Sequence, residues 1–362
     1  MPKRCPVQAA IETHFVGYRK SQVKTIAALV LGLLASRRLG EAAIARCMDC
    51  ATTVRHCIKR IWRYASNDRI DVGTATEGMV RWVCHARTKD PIMIALDWTA
   101  LDSYQLLAAV TGVSGRAVPL AWTVVTQSAF DKRRKSRNDI EEQLILRLQR
   151  ALGNRPWILV ADRGFARADL FAKLSQWGIS YVIRACGNTW VRTRRHSGIL
   201  DNIVRRPRRS VRYDEVLYQK RRQVPVALVV THREPAPEPW YLVTNIEGTK
   251  RVVDYYRMRM WIEESFRDAK SQFQLKKLWV ARAERMERMF LLVAIAILLA
   301  ILASLDHCRR NGPVDPQFTT KRSGRTMSLV FMGLELIKRQ GFPPRLSRLR
   351  LSALIQFAQL HL

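Results

Sequence analysis

Two five-residue apolar runs, Ile92-Met93-Ile94-Ala95-Leu96 and Trp157-Ile158-Leu159-Val160-Ala161, each end directly on an aspartate, Asp97 and Asp162. Apolar runs of this length without alternation mark strands buried on both faces. Such strands belong to sheets covered by helices on both sides, which restricts the chain to an α/β layering. Both carboxylates then fall at the carboxyl ends of strands, where open α/β sheets bind ligands. Two neighbouring carboxylates repel each other unless a cation lies between them. Magnesium suits that place, because it takes hard oxygen ligands and keeps positions for water or phosphate. Taken singly, either aspartate also reads as a residue that merely opens a turn.

Around these runs, residues 104–111 and 117–126 read as further strands joined by a turn at Gly112-Val113-Ser114-Gly115. Residues 139–152 read as an amphipathic helix stopped by Gly153, residues 167–177 as a helix and 181–184 as a strand. Three strands, helix, strand, helix, strand is an order that resembles the ribonuclease-H-like core. The expected fold class is therefore α/β: a ribonuclease-H-like mixed sheet flanked by helices, with a β-rich insertion and a helical N-terminal region. The expected divisions are a helical N-terminal DNA-binding region at 1–90 and a catalytic core at 91–186 and 250–311. A β-rich insertion occupies 187–249 and a basic, helical C-terminal region 312–362. Residues 42–64 carry Arg46, Arg55, Lys59, Arg60 and Arg63. A basic helical unit of this kind serves either as a DNA-binding module or as a bundle packed on the rest of the chain.

Charge narrows the partners. Lys and Arg total 62 against 30 Asp and Glu, a formal net charge of +32, and the excess is spread along all 362 residues. So basic a chain repels itself and is matched to a polyanion. Nucleic acid is the first candidate, since neutralising phosphates releases condensed counterions; coating a ribosome or a membrane surface is the bland alternative. Seven cysteines, an odd and scattered set, favour a reducing compartment over a disulfide framework. Cys47 and Cys50 have Cys-x-x-Cys spacing, but without a second pair they read as free thiols on a helix rather than as a zinc module. The apolar run 289–305 falls short of the roughly 20 residues that a membrane span needs. Its alanines suit a helix packed on several sides inside a protein.

One further segment carries chemistry. If residues 250–270 form one helix, Tyr256, Arg259, Glu263 and Lys270 fall at about 0°, 300°, 340° and 320° around its axis, one narrow sector. Glu264 points about 100° away from Glu263. A carboxylate, two cations and a phenol on one face form either a solvated stripe or a site gripping metal and phosphate together.

Tyr-x2-Arg-x3-Glu-x6-Lys, with its surroundings at 255–266, resembles the signature of transposases from bacterial insertion sequence family 4. Ala161-Asp162-Arg163-Gly164-Phe165 and Leu96-Asp97-Trp98-Thr99 are similar to that family too, although Gly is commoner than Trp after its first Asp. The resemblance spans roughly residues 20–340. It implies that Asp97, Asp162 and Glu263 are catalytic and hold two magnesium ions, for which manganese can substitute. It implies that Tyr256, Arg259 and Lys270 bind phosphate at the end of the element. The partners it implies are DNA, as terminal inverted repeats and as target, and a second copy of the chain in the complex with DNA ends. Some members stack a flipped base on a tryptophan of the insertion. Trp240 is the candidate for that role, with a core aromatic as its other reading, and Trp98 and Trp190 rank behind it. The expected setting is the bacterial cytoplasm, at the nucleoid, with no membrane. The rival reading is an inactive or non-transposing ribonuclease-H-like DNA-binding protein or nuclease.

Overall fold

The computed structural model describes residues 5–84, 91–131, 136–203, 209–232, 238–275, 280–312, 316–319, 327–343 and 346–349. The basic run 132–135, the arginines Arg205, Arg206 and Arg208, and about half of the expected C-terminal region, including all of it from 350 on, lie outside these residues. The described part is mixed α/β: helices flank a ten-stranded, mainly antiparallel sheet of order β3 (Arg116–Thr126), β2 (Tyr104–Val113), β1 (Ile92–Leu101), β4 (Trp157–Ala161), β5 (Ser180–Ala185), β10 (Trp240–Thr244), β9 (Val224–Thr231), β8 (Val211–Tyr218), β6 (Trp190–Arg192), β7 (Ser197–Ile199). Its first five strands, an antiparallel meander followed by two parallel strands, have the ribonuclease-H-like order expected. The chain divides into two compact units, one of Met1–Thr88, Trp98–Asn154 and Glu263–Leu362, the other of Lys89–Asp97 and Arg155–Ile262.

In the second unit, the first part of β1 (Ile92–Leu101) pairs in parallel with β4 (Trp157–Ala161), which pairs in parallel with β5 (Ser180–Ala185). All five β4 residues are buried, which is why this segment reads as an unbroken apolar run. The helix α8 (Ala168–Gln176) returns the chain from β4 to β5. The 187–249 segment contains β6 (Trp190–Arg192), β7 (Ser197–Ile199), β8 (Val211–Tyr218), β9 (Val224–Thr231) and β10 (Trp240–Thr244). It continues the same sheet, because β10 pairs antiparallel with β5 from Tyr241↔Ala185 to Thr244↔Val182. The chain then enters α9 (Thr249–Met258).

The first unit holds α1 (Pro6–His14), α2 (Lys20–Ser36), α3 (Glu41–Arg46), α4 (Val54–Ala65) and α5 (Val72–Val83). It also holds the hairpin of β2 (Tyr104–Val113) and β3 (Arg116–Thr126), the short α6 (Gln127–Asp131) and α7 (Arg137–Leu152). At the tip of the hairpin Ser114 and Gly115 both have positive φ, 43° and 78°, the twist that a two-residue hairpin turn requires. Residues 42–64 are not one helical run. Cys47 closes α3 and Cys50 lies in the connection to α4, so the helix expected at the Cys-x-x-Cys pair stops there.

Helix α11 (Ala283–Asn311) is long and apolar enough to cross a membrane by length and composition, yet its apolar stretch is buried within this unit. Glu287 on it accepts from Thr123 Oγ1 at 2.6 Å and from the Val124 amide at 2.7 Å, tying α11 to β3. Arg288 donates to Ala65 O at 2.8 Å and Tyr64 Oη to Arg288 O at 2.6 Å, tying α11 to the end of α4. The last described helix, α12 (Leu329–Gln340), packs on α11.

Helix α10 (Met260–Gln272) carries a buried acid in this unit. Asp268 is 5% exposed, and burial pushes its carboxyl up from 3.8 to about 6, against the pull of Arg116 at 3.3 Å. The folded state thus holds the proton more tightly than the unfolded chain. This contribution favours folding most below pH 4 and is lost as pH rises through about 6. Asp268→Asn cannot titrate, so urea midpoints of wild type minus variant should fall between pH 4 and 7. At about 1.4 kcal/mol per unit the fall is at most about 3 kcal/mol; a flat difference would remove Asp268 as its source.

Candidate active site

Leu96 on β1 pairs with Ala161 on β4, and Ala161 pairs with Ile183 on β5. One residue further along each parallel strand stand Asp97, Asp162 and Arg184. Because strand side chains alternate, these three share the face opposite to Leu96, Ala161 and Ile183. Two carboxylates and a guanidinium thus stand level on three adjacent strands, although only Asp162 follows a strand end: β1 runs on past Asp97 to Leu101, so the strand end expected at Asp97 is not there, and β5 runs on to Ala185. The register thus brings Asp97 and Asp162 onto neighbouring positions, and Arg184 is a member that the sequence reading missed. The available signal was a charged residue ending the apolar run Tyr181-Val182-Ile183, in the manner of the two aspartates.

The two carboxylates are held differently, Asp162 by its local chain and Asp97 by a distant arginine. Asp162 caps the 3₁₀ turn Arg163–Phe165 and accepts from the Gly164 amide at 2.9 Å. A Cβ at Gly164 would stand 3.1 Å from Asp162 Oδ1, so glycine lets that amide close on the carboxylate. Phe165, 2% exposed, anchors the turn in the core. Asp97 faces Arg259, whose Nη1 is 3.8 Å from Asp97 Oδ2.

The aromatic and cationic residues of α9 gather on the same unit. Tyr256 is 4% exposed and lies beside Arg184. Burial, reinforced by Asp162, raises its phenol above the ordinary range against the pull of Arg259 and Arg184. Tyr256 therefore stays a neutral hydroxyl at neutral pH, able to donate a hydrogen bond and poorly suited to attack phosphorus. Trp240, half-buried at the start of β10, meets the Tyr256 ring edge-on with centroids 4.9 Å apart. It is neither a sealed core residue nor a free ring. Arg259 lies 5.7 Å from the Tyr256 ring centroid, within cation–π range. Beside Arg184, Glu238 accepts at 2.8 Å and also sits 3.5 Å from Arg163, at a cleft of about 410 Å³.

The single helix expected over 250–270 is broken. Arg259 is a turn residue between α9 and α10, spanned by 3₁₀-type bonds from Arg259 N to Tyr256 O and from Ile262 N to Arg259 O. The angular arithmetic therefore does not carry from Tyr256 to Lys270 along one straight axis. Within α10 it does carry. Glu263 stands exposed in the first turn, whereas Glu264 is engaged by Arg116 at 2.5 Å and by Arg267 at 2.6 Å. In the same unit Lys270 donates to Thr99 Oγ1 at 2.6 Å, and Trp98 donates to the buried Glu141 at 2.8 Å.

Among the described residues no three His, Cys, Asp or Glu side chains stand together as a ready-made metal cage. The Asp97 and Asp162 pair nevertheless fits magnesium, which is ordinarily bound by one or two carboxylates and completed by waters and substrate phosphates. The family model described as the transposase DDE domain matches residues 105–299, more than half of the chain. The chain belongs to that transposase family. No curated protein matches it. Asp162, Trp240, Tyr256, Arg259, Glu263 and Lys270 lie inside the matched stretch of this DDE domain, and Asp97 stands eight residues ahead of it. Members of the family use divalent metal ions and bind DNA, which agrees with the charge of +32.

Proposed function

We propose that the chain is a DNA transposase that cuts the ends of its insertion sequence and joins them to target DNA by in-line phosphoryl transfer. The observation that carries this reading is the shared level of Asp97 and Asp162 just past the paired stretch of β1 and β4, with Arg259 against Asp97. Asp97, Asp162 and Glu263 are assigned as the carboxylates that hold two magnesium ions, replaceable by manganese. When bound, such ions supply Lewis acidity at phosphorus and lower the pKa of the attacking hydroxyl. Arg259 balances the Asp97 charge in the free protein and turns to phosphate oxygens on the DNA, as a planar guanidinium suits both. Lys270 adds a point charge, and Tyr256 donates its hydroxyl while Trp240, against its ring, offers a face to a base. No covalent protein–DNA intermediate is required.

Residues 1–90 are assigned to recognition of the terminal repeats. Helix α4 contains no acidic residue, buries Cys57, Ile61 and Tyr64, and turns Arg55, His56, Lys59 and Arg63 to solvent. Such a face can enter a groove and meet phosphates. The core is assigned to 91–186 and 250–311, the insertion to 187–249 and the basic C-terminal region to 312–362. Two copies holding two element ends, in the bacterial cytoplasm at the nucleoid, complete the reading.

The test uses purified protein, magnesium and duplexes carrying the inverted repeats that flank the coding region, with nicked and joined products resolved by electrophoresis. Wild type should nick and join, and Glu263→Gln should do neither. Glu264→Gln should cleave within about threefold of wild type, with a stability loss of about 1 kcal/mol from its weakened pairing with Arg116. Full cleavage by Glu263→Gln would remove Glu263 from the triad. Specific binding by wild type without any nicking would favour an inactive relative.

A further inference from the structure

The Cys-x-x-Cys pair read from the sequence is not the thiol pair that the fold makes. Cys50, half-buried in the connection before α4, and Cys57, 2% exposed in the first turns of that helix, each have their sulfur 3.7 Å from the Thr52 hydroxyl oxygen. The Thr52 hydroxyl thus brings these two thiols together, whereas Cys47 is exposed outside this arrangement. From this geometry we infer that Cys50 and Cys57 form an oxidisable dithiol, with Cys50 as the reacting sulfur and Cys57 as the resolving one, that closes a disulfide at the foot of α4.

The roles follow from exposure and local charge. The neighbouring Cys57 thiol and the Thr52 hydroxyl, with Arg60 nearby, draw the Cys50 thiol below its ordinary range, while the neighbouring Cys50 and burial push Cys57 above it. The thiolate is the nucleophile in thiol–disulfide exchange, so Cys50 reacts first. The oxidant is a low-molecular-weight disulfide. The Cys50 thiolate attacks one of its sulfurs, forms a mixed disulfide and expels one thiolate. Cys57 then loses its proton and attacks the Cys50 sulfur, releasing the second thiolate. The protein loses two hydrogens as one small disulfide becomes two thiols. In a reducing compartment such a bond is transient and responsive rather than structural. It would fix the start of the helix whose outward face is cationic.

The experiment treats the folded, reduced full chain with oxidised glutathione, quenches with acid, and maps disulfides by peptide mass. A Cys50–Cys57 link is expected, at least tenfold faster than any adduct at half-buried Cys186, and reversed by dithiothreitol. Cys47→Ser should leave the link and its rate unchanged. Cys57→Ser should stop at a glutathione adduct on Cys50, and Cys50→Ser should abolish fast reaction at this site. A Cys47–Cys50 link, a lasting Cys50 adduct in wild type, or Cys50 reacting no faster than Cys186 would each overturn the inference. Wild-type mapping decides the matter even where a variant does not fold.

Discussion

Asp97→Asn and Asp162→Asn should each lower metal-dependent strand cleavage by about a thousandfold or more, while binding of terminal-repeat DNA changes by less than about threefold. The size follows from what a metal site contributes, several kcal/mol of transition-state charge stabilisation, at about 1.4 kcal/mol per tenfold in rate. The selectivity follows from the surroundings. Asn at 162 keeps an oxygen to accept from the Gly164 amide, so the 3₁₀ turn persists and only charge is lost. Asn at 97 releases Arg259 from its ion pair, which leaves DNA affinity equal or slightly greater. Asp97 gives the sharper comparison, because it lies ahead of the stretch matched by the transposase family model. Single-turnover cleavage with magnesium, alongside anisotropy of the same duplex, separates the two effects. Cleavage by Asp97→Asn at the wild-type rate would leave Asp162 without the partner that the sheet register gives it.

That register was legible in the chain because buried parallel strands carry the strongest local signal, an unbroken apolar run. Ile92 to Leu96 and Trp157 to Ala161 could be read directly, and the aspartates after them with equal ease. Pairing was not legible: which strands are neighbours, and hence that Arg184 stands on a third strand level with both carboxylates, is a long-range fact. The break at Arg259 was hidden for a different reason. Neither glycine nor proline marks it, Arg259 keeps helical backbone angles, and only a shift to tighter hydrogen bonding separates α9 from α10. The choice of Glu263 over Glu264 as the outward carboxylate rested on local geometry. Within α10, Glu264 does turn to Arg116 and Arg267 while Glu263 stays exposed. The split of residues 42–64 into α3 and α4 was missed because neither glycine nor proline marks the connection between them. The close thiol partner of Cys50 proved to be Cys57.

The largest expected effect on stability lies in the crossing of α11 and α12. Gly333 on α12 is so close to α11 that an added Cβ would stand 1.8 Å from the carbonyl oxygen of Ala300 and 2.8 Å from its Cα. One turn along each helix, Ser304 Oγ donates to Leu329 O at 2.5 Å, so the contact runs antiparallel through small residues. On helix propensity alone Gly333→Ala would stabilise by about 1 kcal/mol. Here the obstacle is backbone, and neither helix can yield by changing a rotamer, so α12 must move off α11 or bend. Overpacking of this kind costs roughly 1–3 kcal/mol where side chains can adjust and more where they cannot. Gly333→Ala should therefore destabilise by about 3 kcal/mol net, and Gly333→Val by more, read as urea midpoints by far-UV circular dichroism. The decisive comparison is the double variant Ala300→Gly with Gly333→Ala. Because the clash is with the Ala300 carbonyl and not its methyl group, trimming residue 300 should restore nothing. Rescue by Ala300→Gly, or a neutral Gly333→Ala, would mean that the two backbones cross further apart than the structure places them.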